Sequence, residues 1–207
     1  MLRVIALILA AVIAANAQAA DAPKAEAAPL SIGLLVDNSG SYRLLLDRVI
    51  NVVADIIDQK GGEDEMFLVT FVDSSKIVLR QDFTHVKSEL HDAAENMFIE
   101  GGQTAILDAL KFSAKQFENA RSDRPRVLLL ISDGDERNSA ARIEDVIKVL
   151  KDAKIRVFAI GLADESLNAK FLERITRDTG GAKFIPKTRA ETAEVVKQVW
   201  PAIRAPK

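Results

Sequence analysis

Two apolar runs, Leu30-Ser-Ile-Gly-Leu-Leu-Val36 and Val127-Leu-Leu-Leu-Ile131, each break off at an acidic stop: Asp37 in the first case, Ser132-Asp133-Gly134-Asp135 in the second. A short, near-continuous apolar run reads as a strand buried on both faces, and such strands belong to parallel sheets covered by helices. The rest of the chain keeps the same alternation. Leu44, Leu45, Val49, Val52, Val53, Ile56 and Ile57 recur at helical spacing, and Gly61-Gly62 ends that helix. Residues 66–72 read as a strand that turns at Asp73-Ser74-Ser75 into a short strand over 76–79, the one antiparallel edge element expected. Helices are predicted over 88–97, 104–119, 140–153, 167–179 and 188–203, and further strands over 126–131, 155–160 and 183–185. The expected fold class is α/β: a single doubly wound, mostly parallel sheet, Rossmann-like, with helices on both faces.

In such sheets ligands bind outside the carboxyl ends of the strands. Two strands that finish on aspartates can bring those carboxylates together at that edge. Asp37-Asn38-Ser39-Gly40-Ser41 adds two hydroxyls, and Gly40 allows a tight turn between them. Oxygen-only donors suit a hard divalent cation such as Mg²⁺.

Asp37-x-Ser39-x-Ser41 after the first strand resembles the metal ion-dependent adhesion site of von Willebrand factor type A domains. The resemblance extends to a threonine in a glycine-rich loop (Gly101-Gly102-Gln103-Thr104) and to an aspartate after the fourth strand (Ser132-Asp133-Gly134). It spans residues 30–203 and is nearer to the bacterial secreted members than to the integrin type. It implies that Ser39, Ser41 and Thr104 contact the cation directly, and that Asp37 and Asp133 do so directly or through water. Mg²⁺, with Mn²⁺ or Ca²⁺ as alternatives, would be the bound metal. The remaining coordination position would receive a carboxylate from a partner protein. Three neutral hydroxyls and two carboxylates leave little excess negative charge, so the cation stays attractive to one more anion.

Plainer readings stand beside this one. Ser39 and Ser41 could cap the helix that follows, and Thr104 its own. Asp135 and Glu136 read as solvated loop charges, and Asp108 as support for a helix start. His85 and His91 lack metal-ligand spacing partners, and Trp200 reads as a packing residue. Tyr42, where many bacterial relatives carry methionine, is expected at the rim of the site; Arg43 beside it reads equally as a selector of acidic partners and as an ordinary exposed arginine at a helix start.

The first 19 residues read as a signal peptide: Arg3, an unbroken apolar run over 4–13, and small-x-small sites at Ala15-Asn16-Ala17 and Ala17-Gln18-Ala19. An uncleaved N-terminal anchor is the alternative. Residues 20–29, rich in alanine and proline, read as a tether to a domain over 30–207, and export to the periplasm or beyond follows. The absence of cysteine excludes a disulfide framework and thiolate chemistry. With 28 basic against 30 acidic residues and no basic block, nothing points to nucleic acid, and no second apolar stretch is long enough to span a membrane.

The function these readings give is a non-catalytic, exported protein-binding module, monomeric alone. The competing reading is a Mg²⁺-dependent phosphatase-like hydrolase with Asp37 as nucleophile. That chemistry needs a general acid two residues on, where this chain has Ser39.

Overall fold

The computed structural model describes residues 28–121, 123–163 and 166–205. The expected signal peptide and residues 20–27 of the expected tether lie outside the described residues.

Six strands form one sheet in the order β3-β2-β1-β4-β5-β6. They are β1 (Ser31–Asp37), β2 (Glu65–Phe71), β3 (Ile77–Thr84), β4 (Arg126–Ser132), β5 (Ile155–Gly161) and β6 (Lys183–Phe184). All neighbours pair in parallel except β2 and β3, which are antiparallel. The antiparallel strand is longer than the sequence pattern implied. Arg80, Gln81 and Asp82 interrupt the apolar run, yet an edge strand needs burial on only part of its surface, and the pairing continues through register shifts.

Side-chain alternation along the strands sorts the core into two layers. Ile32, Leu34 and Val36 of β1, with Val127, Leu129 and Ile131 of β4, pack beneath α1 (Leu46–Gln59), α2 (Lys87–Glu95) and α6 (Arg189–Arg204). Leu35, Leu128 and Leu130 face the other way, toward α3 (Ile106–Gln116), α4 (Ile143–Asp152) and α5 (Ala169–Thr179). Trp200 is buried in the first layer, as a packing residue should be.

At the N-terminal edge of the sheet the chain is tied off by a buried carboxylate. Asp64 accepts from Leu30 N (2.8 Å) and Gly61 N (2.8 Å) and pairs with the Arg204 guanidinium, which also donates to Ala28 O (2.7 Å). The start of β1, the turn before β2 and the end of α6 thereby close on one another.

At the opposite edge, the helix after β1 begins later than its periodicity suggested. Residues 40–42 form a 3-10 turn and α1 starts at Leu46, so Leu44 is 80% exposed rather than part of the buried stripe. The apolar spacing from Val49 onward is helical, but it does not extend back into the turn.

Candidate metal centre

The strand order reverses between β1 and β4, and the two acidic stops meet there. Asp37, the last residue of β1, accepts from Ser39 N (3.0 Å) through Oδ1 and from Ser132 Oγ (2.9 Å) through Oδ2. Ser132 Oγ accepts in turn from Gly134 N (3.0 Å), and Asp133 Oδ1 from Asp135 N (2.9 Å). Gly134 holds φ 76°, and a Cβ there would stand 2.8 Å from Asn168 O, so only glycine fits this turn. Ser39 Oγ and Ser41 Oγ lie 3.1 Å apart.

The glycine-rich loop joins this pair through the backbone. Glu100 N donates to Asn38 O (3.3 Å), and Asn38 Nδ2 to Phe98 O (2.9 Å). Thr104 O accepts from Arg137 N (3.0 Å) and Asn138 N (3.1 Å) on the loop after β4. Each of the three loops is thus hydrogen-bonded to the other two. Asp37, Ser39, Thr104 and Asp133 are all buried, while Ser41 is exposed beside a cleft of about 500 Å³ that Gly40, Arg43, Leu44, Asp133 and Arg137 also line.

The hydroxyls are not helix caps. The 3-10 turn begins at Ser39 with no side-chain cap bond, α1 is preceded by Leu45, and α3 by Ala105, again without side-chain caps. The α3 amides are served from across the sheet edge: Leu107 N donates to Glu136 Oε2 (2.9 Å) and Asp108 N to Ser139 Oγ (3.1 Å). Asp108 returns the contact, accepting from Ala140 N (2.8 Å) and Ala141 N (2.9 Å). Glu136 is therefore a half-buried brace and not a solvated charge, and Asp108 holds the loop after β4 as well as its own helix start. Asp135 is the solvated member, paired with Arg137. Sequence reasoning missed this exchange because its partners are about thirty residues apart. The one local hint was the absence of a capping residue at 105.

Tyr42 corrects a second expectation. It is buried, not at the rim, and its hydroxyl donates to Leu162 O (2.7 Å) just beyond β5. The apolar ring fills the layer under the turn and the single polar atom finds a carbonyl, the usual solution for a buried tyrosine. His85 is exposed, and His91 meets Asp58 at 2.9 Å.

Burial pushes the Asp37 carboxyl up to about 7, with hydrogen bonds from Ser39 and Ser132 opposing the rise and the charge of Asp133 adding to it. Among the described residues no lysine or arginine offsets the carboxylate. Burying a carboxylate without a positive partner is costly. Among the described residues no three His, Cys, Asp or Glu side chains gather as a metal site, so a cation here depends on hydroxyls to complete its donors. Asn38 Oδ1, next to Asp37, is also buried without a hydrogen-bond partner. Two carboxylates and three hydroxyls form an oxygen-only set that fits Mg²⁺, Mn²⁺ or Ca²⁺ and suits softer metals poorly.

A doubly wound sheet with acidic and hydroxyl loops at its switch point defines a class of domain. Residues 31–198 match the family model of the von Willebrand factor type A domain, and the chain belongs to that family. It is 27% identical over 174 residues to the uncharacterized protein sll0103 of Synechocystis, covering 83% of this chain and 41% of that protein. It is 29% identical over 144 residues to the collagen alpha-6(VI) chain of Mus musculus, covering 65% of this chain and 6% of the collagen chain. The chain therefore spans well under two thirds of either relative. Among solved structures, the von Willebrand factor type A protein of Catenulispora acidiphila superposes with a TM-score of 0.72 at 18% identity, over 83% of this chain and 42% of that one. No helix among the described residues is long and apolar enough to cross a membrane.

Proposed function

We propose that this chain is an exported, non-catalytic protein-binding module whose partner is held through a divalent cation at the three-loop site. The observation that carries the reading is the mutual bonding of the three loops around Asp37, with Ser39, Ser41 and Thr104 free of capping duty. Asp37, Ser39, Ser41, Thr104 and Asp133 would hold Mg²⁺, or Mn²⁺ or Ca²⁺ in its place. A cation with so few anionic protein ligands supplies a positive centre that accepts one more carboxylate, here an acidic side chain of another protein. The chain's own part is to hold its donors still: Ser132 fixes Asp37, Tyr42 seats the 3-10 turn, and Glu136 and Asp108 clamp the outer loops.

The hydrolase alternative is the weaker reading. Ser39 stands where a general acid would be needed, and the acidic residue beyond Asp133 is engaged with Arg137. Membership in a family that includes a collagen chain also favours interaction over catalysis.

Thermal melting with Mg²⁺ and with EDTA tests the site. Wild type should melt higher in Mg²⁺ and Asp37→Ala should not respond. Equal melting of wild type under both conditions would remove the cation from the reading. Export is tested by mass spectrometry of the mature protein, whose N-terminus should lie near Gln18 or Ala20. An intact Met1 on cytoplasmic protein would contradict it.

A further inference from the structure

The two most exposed large apolar side chains among the described residues are Leu44 (80% exposed) and Phe98 (53%). Leu44 lines the same cleft as Ser41 and Asp133. The backbone of Phe98 receives the Asn38 side chain, one residue from Asp37. Single exposed apolar residues are ordinary, but here the most exposed of them, Leu44, lines the cleft where the proposed partner would dock. Neither is a by-product of local folding. Leu44 precedes α1 and contributes nothing to its buried stripe. The Arg80 guanidinium lies over the Phe98 ring, 5.3 Å from its centroid.

Charge distinguishes the two walls of the cleft. Arg137 is neutralised by Asp135, whereas Arg43, beside Leu44, is exposed and has no ion pair among the described residues. A ligand entering next to Leu44 therefore meets a free guanidinium and an aliphatic surface together. An approaching carboxylate alone would satisfy the site's polar groups and leave Leu44 in water.

From this pairing we infer that the rim selects its partner: a segment of another protein in which the acidic residue that reaches the site has an apolar residue close beside it in sequence, packed on Leu44, with Arg43 favouring further negative charge. This rests on the cation-bridged reading above and adds to it the chemistry of the partner. Exposed Arg43 beside Leu44 complements an acidic, apolar peptide segment.

The test is selection of a phage-displayed library of random linear peptides on the immobilised full chain in Mg²⁺, with parallel panning in EDTA. The expected result is an Mg²⁺-dependent consensus in which Asp or Glu is followed or preceded closely by an aliphatic or aromatic residue. Synthetic peptides of that consensus should bind Leu44→Ser about tenfold more weakly, and Arg43→Ala more weakly as well. Because both side chains are exposed, these variants should melt with wild type. A consensus that is acidic without apolar neighbours, or peptides that bind Leu44→Ser as well as wild type, would overturn the rim's role while leaving the cation-bridged reading standing. Enrichment that is indifferent to EDTA, or no enrichment, would overturn both. Mg²⁺-dependent self-association of the chain, or recovery on anionic vesicles in place of peptide binding, would replace the inferred partner.

Discussion

Two buried aspartates stand near the two ends of β1, about 20 Å apart given the rise of a strand, and they are provided for in opposite ways. Asp64 has two backbone donors and the guanidinium of Arg204, so its charge is answered inside the chain. Asp37 is met by the Ser39 amide and by serine hydroxyls, with no lysine or arginine beside it among the described residues, and burial pushes its carboxyl up to about 7. The first arrangement is a keystone, sealing the start of β1 to the end of the last helix. The second leaves a buried carboxylate whose charge no lysine or arginine answers among the described residues. Burial alone does not mark a functional carboxylate; what marks it is the missing positive partner.

The largest effect that could break this contrast is at the keystone. Asp64→Ala strips the partner from a half-buried Arg204 and should cost about 3–5 kcal/mol, read from urea unfolding, by the same amount in Mg²⁺ and in EDTA. A loss that Mg²⁺ could offset would mean the two ends are not independent. At the other aspartate the response should invert. Wild type with Mg²⁺ at about 100 times its dissociation constant should gain roughly 2.7 kcal/mol, while Asp37→Asn should fold and gain nothing. A variant that still gains would move the cation elsewhere. Tyr42→Phe sharpens the comparison, since it removes the bond seating the turn but no proposed ligand. It should cost about 1.5 kcal/mol and shift the Mg²⁺ midpoint of stabilisation upward; an unchanged midpoint would make the tyrosine a core residue only. The smallest effect on folding is expected for Thr104→Ala, about 1 kcal/mol or less, because no cap is lost with the hydroxyl. The Mg²⁺ gain should shrink in that variant, and a full gain would remove Thr104 from the ligand set.

Much of this was legible in the chain. The runs 30–36 and 127–131 announced buried parallel strands because apolar residues occupy both alternating positions, and the loop residues came in the expected order. What the pattern could not reveal is pairing at a distance. Glu136 looked like a solvated charge since its partners, the amides opening α3, lie on another loop. Tyr42 looked like a rim residue since its hydrogen-bond acceptor is 120 positions away. Leu44 fitted the helical spacing of Val49 and Val52, but periodicity does not register that a 3-10 turn precedes the helix. The coupling of Asp37 to Ser132 was not legible, because the two lie 95 positions apart.

The place of the three loops on the sheet also has a mechanical side. Asp37 closes β1 and Ser132 closes β4, the two central strands of the sheet. A pull on a partner seated there, directed along the strands, would load these ladders in shear. Many bonds would then have to fail together, where a pull on β3 or β6 at the margins could peel them one by one. A partner seated there would thus pull along the ladders of the two central strands and not across a sheet margin.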